Sequence, residues 1–166
     1  APSFQSFMRT AQLSSTTNSF VAVVNAARSE GMKRNLHSYI TPRDGGNQWS
    51  VGWRAFVDVD FSGGFSSGDI VITEQSAVAE YIVITANGTS GESPSYIMYD
   101  GSGFSKTKAG GFGAQTLSIA LADSVAPKDV RRIKIASTGR IRVCTPSTLT
   151  DANETACKAT NSASNN

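Results

Sequence analysis

From Ser3 to Asn35 the chain carries no proline and a single glycine, Gly31; every other glycine lies beyond it. Pro2 stands just before this stretch and suits a helix start, because its fixed φ and missing N–H cost nothing there. Phe4, Met8 and Ala11, then Phe20, Val24, Ala27 and Met32, recur at about helical spacing. A Ser/Thr-rich centre, Ser14-Ser15-Thr16-Thr17, interrupts that apolar pattern. Arg28, Lys33 and Arg34 sit towards the end, where positive charge complements the helix dipole. The spacing predicts an amphipathic helix over residues 1–35, longer than a small head can cover. Its first turns, with Phe4, Phe7 and Met8, are expected to project. An exposed aromatic start, and a chain opening on Ala1, imply that a segment precedes it.

Beyond Asn35 the apolar period changes to two. Strands are predicted at Leu36–Thr41, Gln48–Val59, Asp69–Glu74, Ala79–Ala86, Ser95–Tyr99, Gln115–Ala122, Val130–Ala136 and Arg140–Cys144. Turn signals separate them: Asp44-Gly45-Gly46, Ser62-Gly63-Gly64, Asn87-Gly88, Asp100-Gly101 and Ala109-Gly110-Gly111. The predicted organisation is one α+β domain. A helix (1–35) precedes a head of antiparallel sheet (36–144), and a Ser/Thr/Asn-rich tail (145–166) follows. At 166 residues there is material for one real core.

Composition narrows function mainly by exclusion. One histidine and two cysteines leave no multi-histidine metal centre and no CxxC pair. No run of apolar residues is long enough to span a bilayer. The net charge of +2 does not by itself imply a nucleic-acid partner. It conceals basic ends and an acidic middle, since residues 44–129 hold ten acids against Arg54, Lys106, Lys108 and Lys128.

Two local patterns imitate catalytic or metal motifs. Gly64-Phe65-Ser66-Ser67-Gly68 matches G-x-S-x-G, but a strand pattern rather than a helix follows it, so a nucleophile elbow is not expected. Asp58, Asp60 and Asp69 fall at positions 1, 3 and 12 of a calcium-loop spacing, with Gly63 at position 6. Strand flanks and an Asp at the last position favour an ordinary hairpin turn over a cation site. His37 stands alone at the helix-to-strand junction. No enzyme and no cofactor is expected.

Cys144 and Cys157 would close a loop in the tail, and a disulfide in an exported protein is favoured over two free thiols. Ahead of Cys144, Ile133 and Ile135 alternate with Arg132 and Lys134, and Ile141 and Val143 with Arg140 and Arg142. A two-residue turn would mix the faces. A three-residue loop, Ser137-Thr138-Gly139, pairs Lys134 with Arg142 and Ile133 with Val143, with Gly139 supplying a left-handed conformation. That register buries the Ile/Val face and gathers Arg132, Lys134, Arg140 and Arg142 on the other. Like charges placed opposite repel. Neighbouring acids, solvation or an anionic ligand must answer them.

Several segments together resemble the GspH/FimT family of minor pilins and pseudopilins. They are Ala26-Ala27-Arg28-Ser29-Glu30 with Lys33-Arg34, then Trp49-Ser50-Val51-Gly52-Trp53-Arg54-Ala55-Phe56-Val57-Asp58, and Ile135-Ala136-Ser137-Thr138-Gly139-Arg140-Ile141-Arg142. The resemblance implies a pilin-like fold and a non-catalytic filament subunit with no small-molecule substrate. It implies anchorage in the inner membrane by a preceding hydrophobic segment, with the head in the periplasm and later at a pilus tip. Three roles follow: priming and tip formation in a type IV pilus through contacts with other minor pilins and the major pilin; binding of double-stranded DNA in natural transformation; or the equivalent place in a type II secretion system. In DNA-binding relatives a Gly-Arg-x-Arg motif carries the contact, and Gly139-Arg140-Ile141-Arg142 matches it.

Overall fold

The computed structural model describes residues 2–146 together with Thr148 and Leu149. One continuous helix, α1 (Pro2–Arg34), spans 33 residues, about 50 Å at 1.5 Å per residue. The Ser/Thr centre does not break it. Thr16 and Thr17 are buried, and the Thr17 hydroxyl donates to the Leu13 carbonyl one turn back at 2.8 Å. That bond satisfies the hydroxyl within the helix, so a polar side chain can face the core. Leu13, Phe20, Val24 and Ala27 are fully buried beside it, at the three- and four-residue spacing of one helix face.

The helix ends as its sequence allows. Asn35 takes a left-handed φ of 55°. Its N–H bonds the Met32 carbonyl at 3.3 Å, and the Leu36 N–H reaches the Gly31 carbonyl at 3.0 Å. This is a Schellman stop with asparagine in the place glycine usually fills. Glu30 lies 3.1 Å from Arg34 and 3.9 Å from Lys33, exposed pairs that add only a few tenths of a kcal/mol each.

Nine strands follow among the described residues, in two antiparallel sheets. The first contains β1 (Ser38–Pro42), β2 (Trp53–Val57), β3 (Ile70–Gln75), β5 (Ile97–Tyr99) and β6 (Ser105–Lys106), in the order β3-β2-β1-β5-β6. The second contains β4 (Ile82–Ala86), β7 (Gln115–Leu121), β8 (Val130–Ile135) and β9 (Ile141–Cys144), in the order β4-β7-β8-β9. The start of the long strand predicted at Gln48–Val59 is instead a short 3-10 turn, Trp49–Val51. The sequence pattern did not predict β6, whose two residues are too few for a period to register.

Both sheets turn one face towards α1 and share a single core. Ile40, Trp53, Ala55 and Ile97 enter it from the first sheet, and Ile82, Leu117, Ile119, Ile133 and Ile135 from the second. The Phe20 ring meets Trp49 and Trp53 edge-on, with centroids 5.6 and 4.9 Å away. Burying a side chain of that size contributes about 1.5–3 kcal/mol. Tyr39, Phe56, Tyr96 and Met98 form a second, smaller cluster, the first two stacked at 5.5 Å. Tyr39 and Phe56 precede or follow core residues by one position, which puts them on the opposite face of the sheet.

Candidate functional site: the cationic hairpin

Strands β8 and β9 pair Arg132 with Cys144, Ile133 with Val143, Lys134 with Arg142 and Ile135 with Ile141. The Ala136 N–H bonds the Arg140 carbonyl at 2.9 Å, and the Gly139 N–H bonds the Ala136 carbonyl at 2.8 Å. The loop is therefore the three residues Ser137-Thr138-Gly139, with Gly139 at a φ of 89°, as the alternation of the strands predicts.

The helix fixes this loop from below. Arg28 Nε donates to the Gly103 carbonyl at 2.8 Å, and its Nη2 donates to the Thr138 carbonyl at 3.2 Å. The Ser105 N–H donates to the Ser137 carbonyl at 3.0 Å, and the Tyr99 hydroxyl to the Gly139 carbonyl at 3.4 Å. Residues from α1, β5 and β6 thus converge on one loop. Burial pushes the Tyr99 hydroxyl pKa well above its usual value, so it stays a donor.

The four cations share one face, but not one environment. Arg132 and Lys134 are 6% and 8% exposed, and neither lacks a partner. Arg142 is half-buried and Arg140 exposed. The apolar side is also uneven, with Ile133 and Ile135 buried but Val143 40% exposed. The register and the shared cationic face are as expected, whereas the expected burial of the Ile/Val face fails at Val143. β8 is an interior strand, flanked by β7 and β9, so its side chains have neighbours on both sides. β9 is an edge strand among the described residues, so its side chains have a neighbouring strand on one side only. A cleft of about 400 Å³ opens here, lined by Ala114, Lys134, Ser137, Thr138, Arg140 and Arg142 among others.

Cys144 closes β9 and is buried, and no cysteine among the described residues is free. Its expected partner, Cys157, lies outside the described residues.

The acidic loop after β2 is held by its own backbone. One carboxylate oxygen from each of Asp58, Asp60 and Asp69 lies within 4.8 Å of the other two. Asp58 accepts from the Ser62 and Gly63 N–H groups, and Asp69 from those of Val59 and Ser66. Burial raises the Asp58 pKa, partly offset by those donors. Hydrogen bonds from Ser62 and Ser66 lower Asp60 to about 2. The Ser66 hydroxyl donates to Asp60 Oδ2 at 2.9 Å. The central serine of the G-x-S-x-G pattern is thus engaged by a carboxylate, and β3 follows it. The His37 ring rests 6.3 Å from that of Phe61.

At the other end of the molecule the helix start is bare. Phe4, Phe7 and Met8 are 70%, 68% and 52% exposed. No helix among the described residues is long and apolar enough to cross a membrane. Arg28 is the site residue that sequence reasoning missed in its structural role. Its place in the Ala-Arg-Ser-Glu segment was visible, but its acceptors lie 75 and 110 residues away.

Comparison with known proteins agrees with this architecture. The family model described as type II transport protein GspH matches residues 16–139. No curated protein matches the chain. The crystal structure of the type IV minor pilin FimU from Pseudomonas aeruginosa is similar at a TM-score of 0.60 and 18% identity, covering 86% of this chain and 98% of that one. The minor pseudopilin EpsH from the type 2 secretion system of Vibrio cholerae is similar at 0.56 and 14% identity, covering 82% of this chain and 98% of that one. Both likenesses establish the fold: a long N-terminal helix packed on antiparallel sheets. With the family model spanning the second half of the helix, every strand but β9, and the hairpin loop, the chain belongs to the GspH family of minor pilins and pseudopilins.

Proposed function

We propose that this chain is a non-catalytic minor pilin of a type IV pilus, helping to prime assembly and forming part of the tip through contacts with other minor pilins and the major pilin. One observation carries the reading. The last two-thirds of α1 packs into the head, while its first turns present Phe4, Phe7 and Met8 to solvent. An apolar helix start left bare by its own head suits burial among the helices of a filament. In the full protein a preceding hydrophobic segment would anchor the chain in the inner membrane, with the head in the periplasm and, after assembly, at the pilus tip. A Cys144–Cys157 disulfide would close the tail there. A tagged copy is expected to co-purify with other minor pilins from detergent-solubilised membranes. Recovery of the tagged chain without any pilin subunit would contradict the reading.

A second reading is favoured by the exposed Arg140 beside the hairpin cleft. The Gly139–Arg142 segment would then hold the phosphate backbone of double-stranded DNA, with Lys134 and Arg132 supporting from β8. Arg140→Gln with Arg142→Gln should abolish DNA retardation, and wild-type retardation should weaken steeply as salt rises. Absence of any wild-type shift at low salt would exclude DNA for this head. The likeness to EpsH supports a third reading, a minor pseudopilin of a type II secretion system, in which deletion would block enzyme secretion and spare pili.

A further inference from the structure

The outer face of the second sheet is covered. Ile133 and Ile135 enter the core shared with α1, so Arg132 and Lys134, one residue out of step, point away from it. Lys134 pairs with Thr116 and Arg142, and Arg132 with Ser118 and Cys144, on that same outward face. Yet Thr116, Arg132, Lys134 and Cys144 are 9%, 6%, 8% and 6% exposed. Flanking strands close the sides of an outward side chain but not its end. The strand neighbours of Arg132, Ser118 and Cys144, are too short to reach over a guanidinium. Chain lying across the sheet must close the ends. This burial is found in the single chain, with no partner present, so the cover is intramolecular.

Whatever covers these cations also answers their charge. Arginine and lysine are almost never buried unless paired, and Arg132 and Lys134 are both engaged. The four strands of the second sheet carry Arg131, Arg132, Lys134 and Arg142 and not one carboxylate. The described lining of the hairpin cleft holds Lys134, Arg140 and Arg142 and no acid. Arg140 and Arg142 have no carboxylate within ion-pair distance among the described residues. From Val130 to Leu149 the chain holds five bases and no acid. The next stretch reverses this: residues 150–157 hold two acids, Asp151 and Glu154, and no base.

We infer that the tail segment 150–157, which lies outside the described residues, is a strap across this face, with Asp151 and Glu154 answering Arg132 and Lys134. Its place in the chain suits the role. It follows β9 closely, and Cys144, the last residue of β9, stands on the covered face directly opposite Arg132. The proposed Cys144–Cys157 bond would return the chain to that same face, but burial and charge carry the inference without it. The strap divides the four cations. Arg132 and Lys134 are neutralised from within, and Arg140 and Arg142 remain at the rim for an outside anion. A polyanion reaching for β8 must first displace the strap, so the tail acts as an internal competitor at the hairpin.

The test is zero-length carbodiimide cross-linking of the whole chain, read by peptide mass spectrometry. Lys134 is expected to join Asp151 or Glu154 within one molecule. Asp151→Asn with Glu154→Gln should abolish that link. The same variant should raise the rate at which an amine-reactive ester acylates Lys134 roughly tenfold, because the strap opens more often. A charge-matched control, Glu80→Gln with Asp123→Asn at two exposed positions, should leave the rate unchanged. No wild-type link from Lys134 to the tail, or an acylation rate that is the same in the tail variant as in wild type, would overturn the inference. So would a link that forms only between two copies in a mixture of isotope-labelled and unlabelled chain. An equal rise in the control would overturn it too, by showing that net charge alone sets the rate.

Discussion

Gly139 lies so close to Gly103 that a Cβ on Gly139 would overlap the Gly103 carbonyl oxygen and come within 2.7 Å of Arg28 Nε. The glycine of the Gly-Arg-Ile-Arg segment is therefore required by packing as well as by its φ of 89°. Only glycine meets both demands cheaply. Gly139→Ala is expected to cost roughly 2–4 kcal/mol, from left-handed strain plus displacement of the β5–β6 turn. Chemical denaturation measures the loss, and a cost below about 0.5 kcal/mol would show that the loop relaxes freely.

Arg28 ties the helix to the turns of both sheets by donating to the Gly103 and Thr138 carbonyls. Truncation leaves two acceptors short of a charged donor. Arg28→Ala should destabilise the head by about 1.5–3 kcal/mol. It should also speed amide exchange at Gly139 and Ser105 more than in the β4–β7 pairing. Arg28→Lys should recover at most part of the loss, because one ammonium cannot reproduce the guanidinium fork.

The acidic loop makes a pH prediction with two opposing parts. Asp60 is lowered in the fold to about 2 from 3.8. Its stabilising contribution is present above 3.8 and fades as pH falls through about 2. Asp58 is raised in the fold by burial. Its charge opposes folding as pH rises above its unfolded value, and that opposition disappears in acid. Asp60→Asn should therefore be less stable than wild type near neutrality, and the gap should close in acid. Urea midpoints of both proteins at neutral pH and near pH 2 test this. A gap that stays constant would show that the Ser62 and Ser66 contacts do not act through the Asp60 charge.

Cys144 has its expected partner thirteen positions along the chain. Closing such a loop is expected to contribute about 3 kcal/mol, much of it through the unfolded state. Intact mass spectrometry without reductant should show the chain two hydrogens lighter than its reduced form. Two alkylatable thiols in the native protein would refute the pairing.

The elements best read from sequence are those set by local chemistry. The three-residue hairpin loop follows from the alternation of Ile/Val with Arg/Lys and from the one glycine that can turn there. The long helix follows from the absence of proline. What escaped notice depends on distant chain. Arg28 looks like a dipole-complementing residue until the β5–β6 turn and the hairpin loop are folded against it. The burial of Arg132 and Lys134 follows from β8 lying between two other strands, which alternation alone does not reveal. The burial of the Ser/Thr centre is not legible because its satisfaction depends on Thr17 bonding back to Leu13, a geometry that exists only once the helix does.

The central claim is that the bare helix start and the head build a filament. The most direct measurement is surface piliation in a strain lacking this chain, complemented by the full-length wild type or by Phe4→Ser with Phe7→Ser. The deletion should lose most surface pili, wild type should restore them, and the double variant should be stably made yet fail to restore them. Normal piliation in the deletion strain would contradict the account.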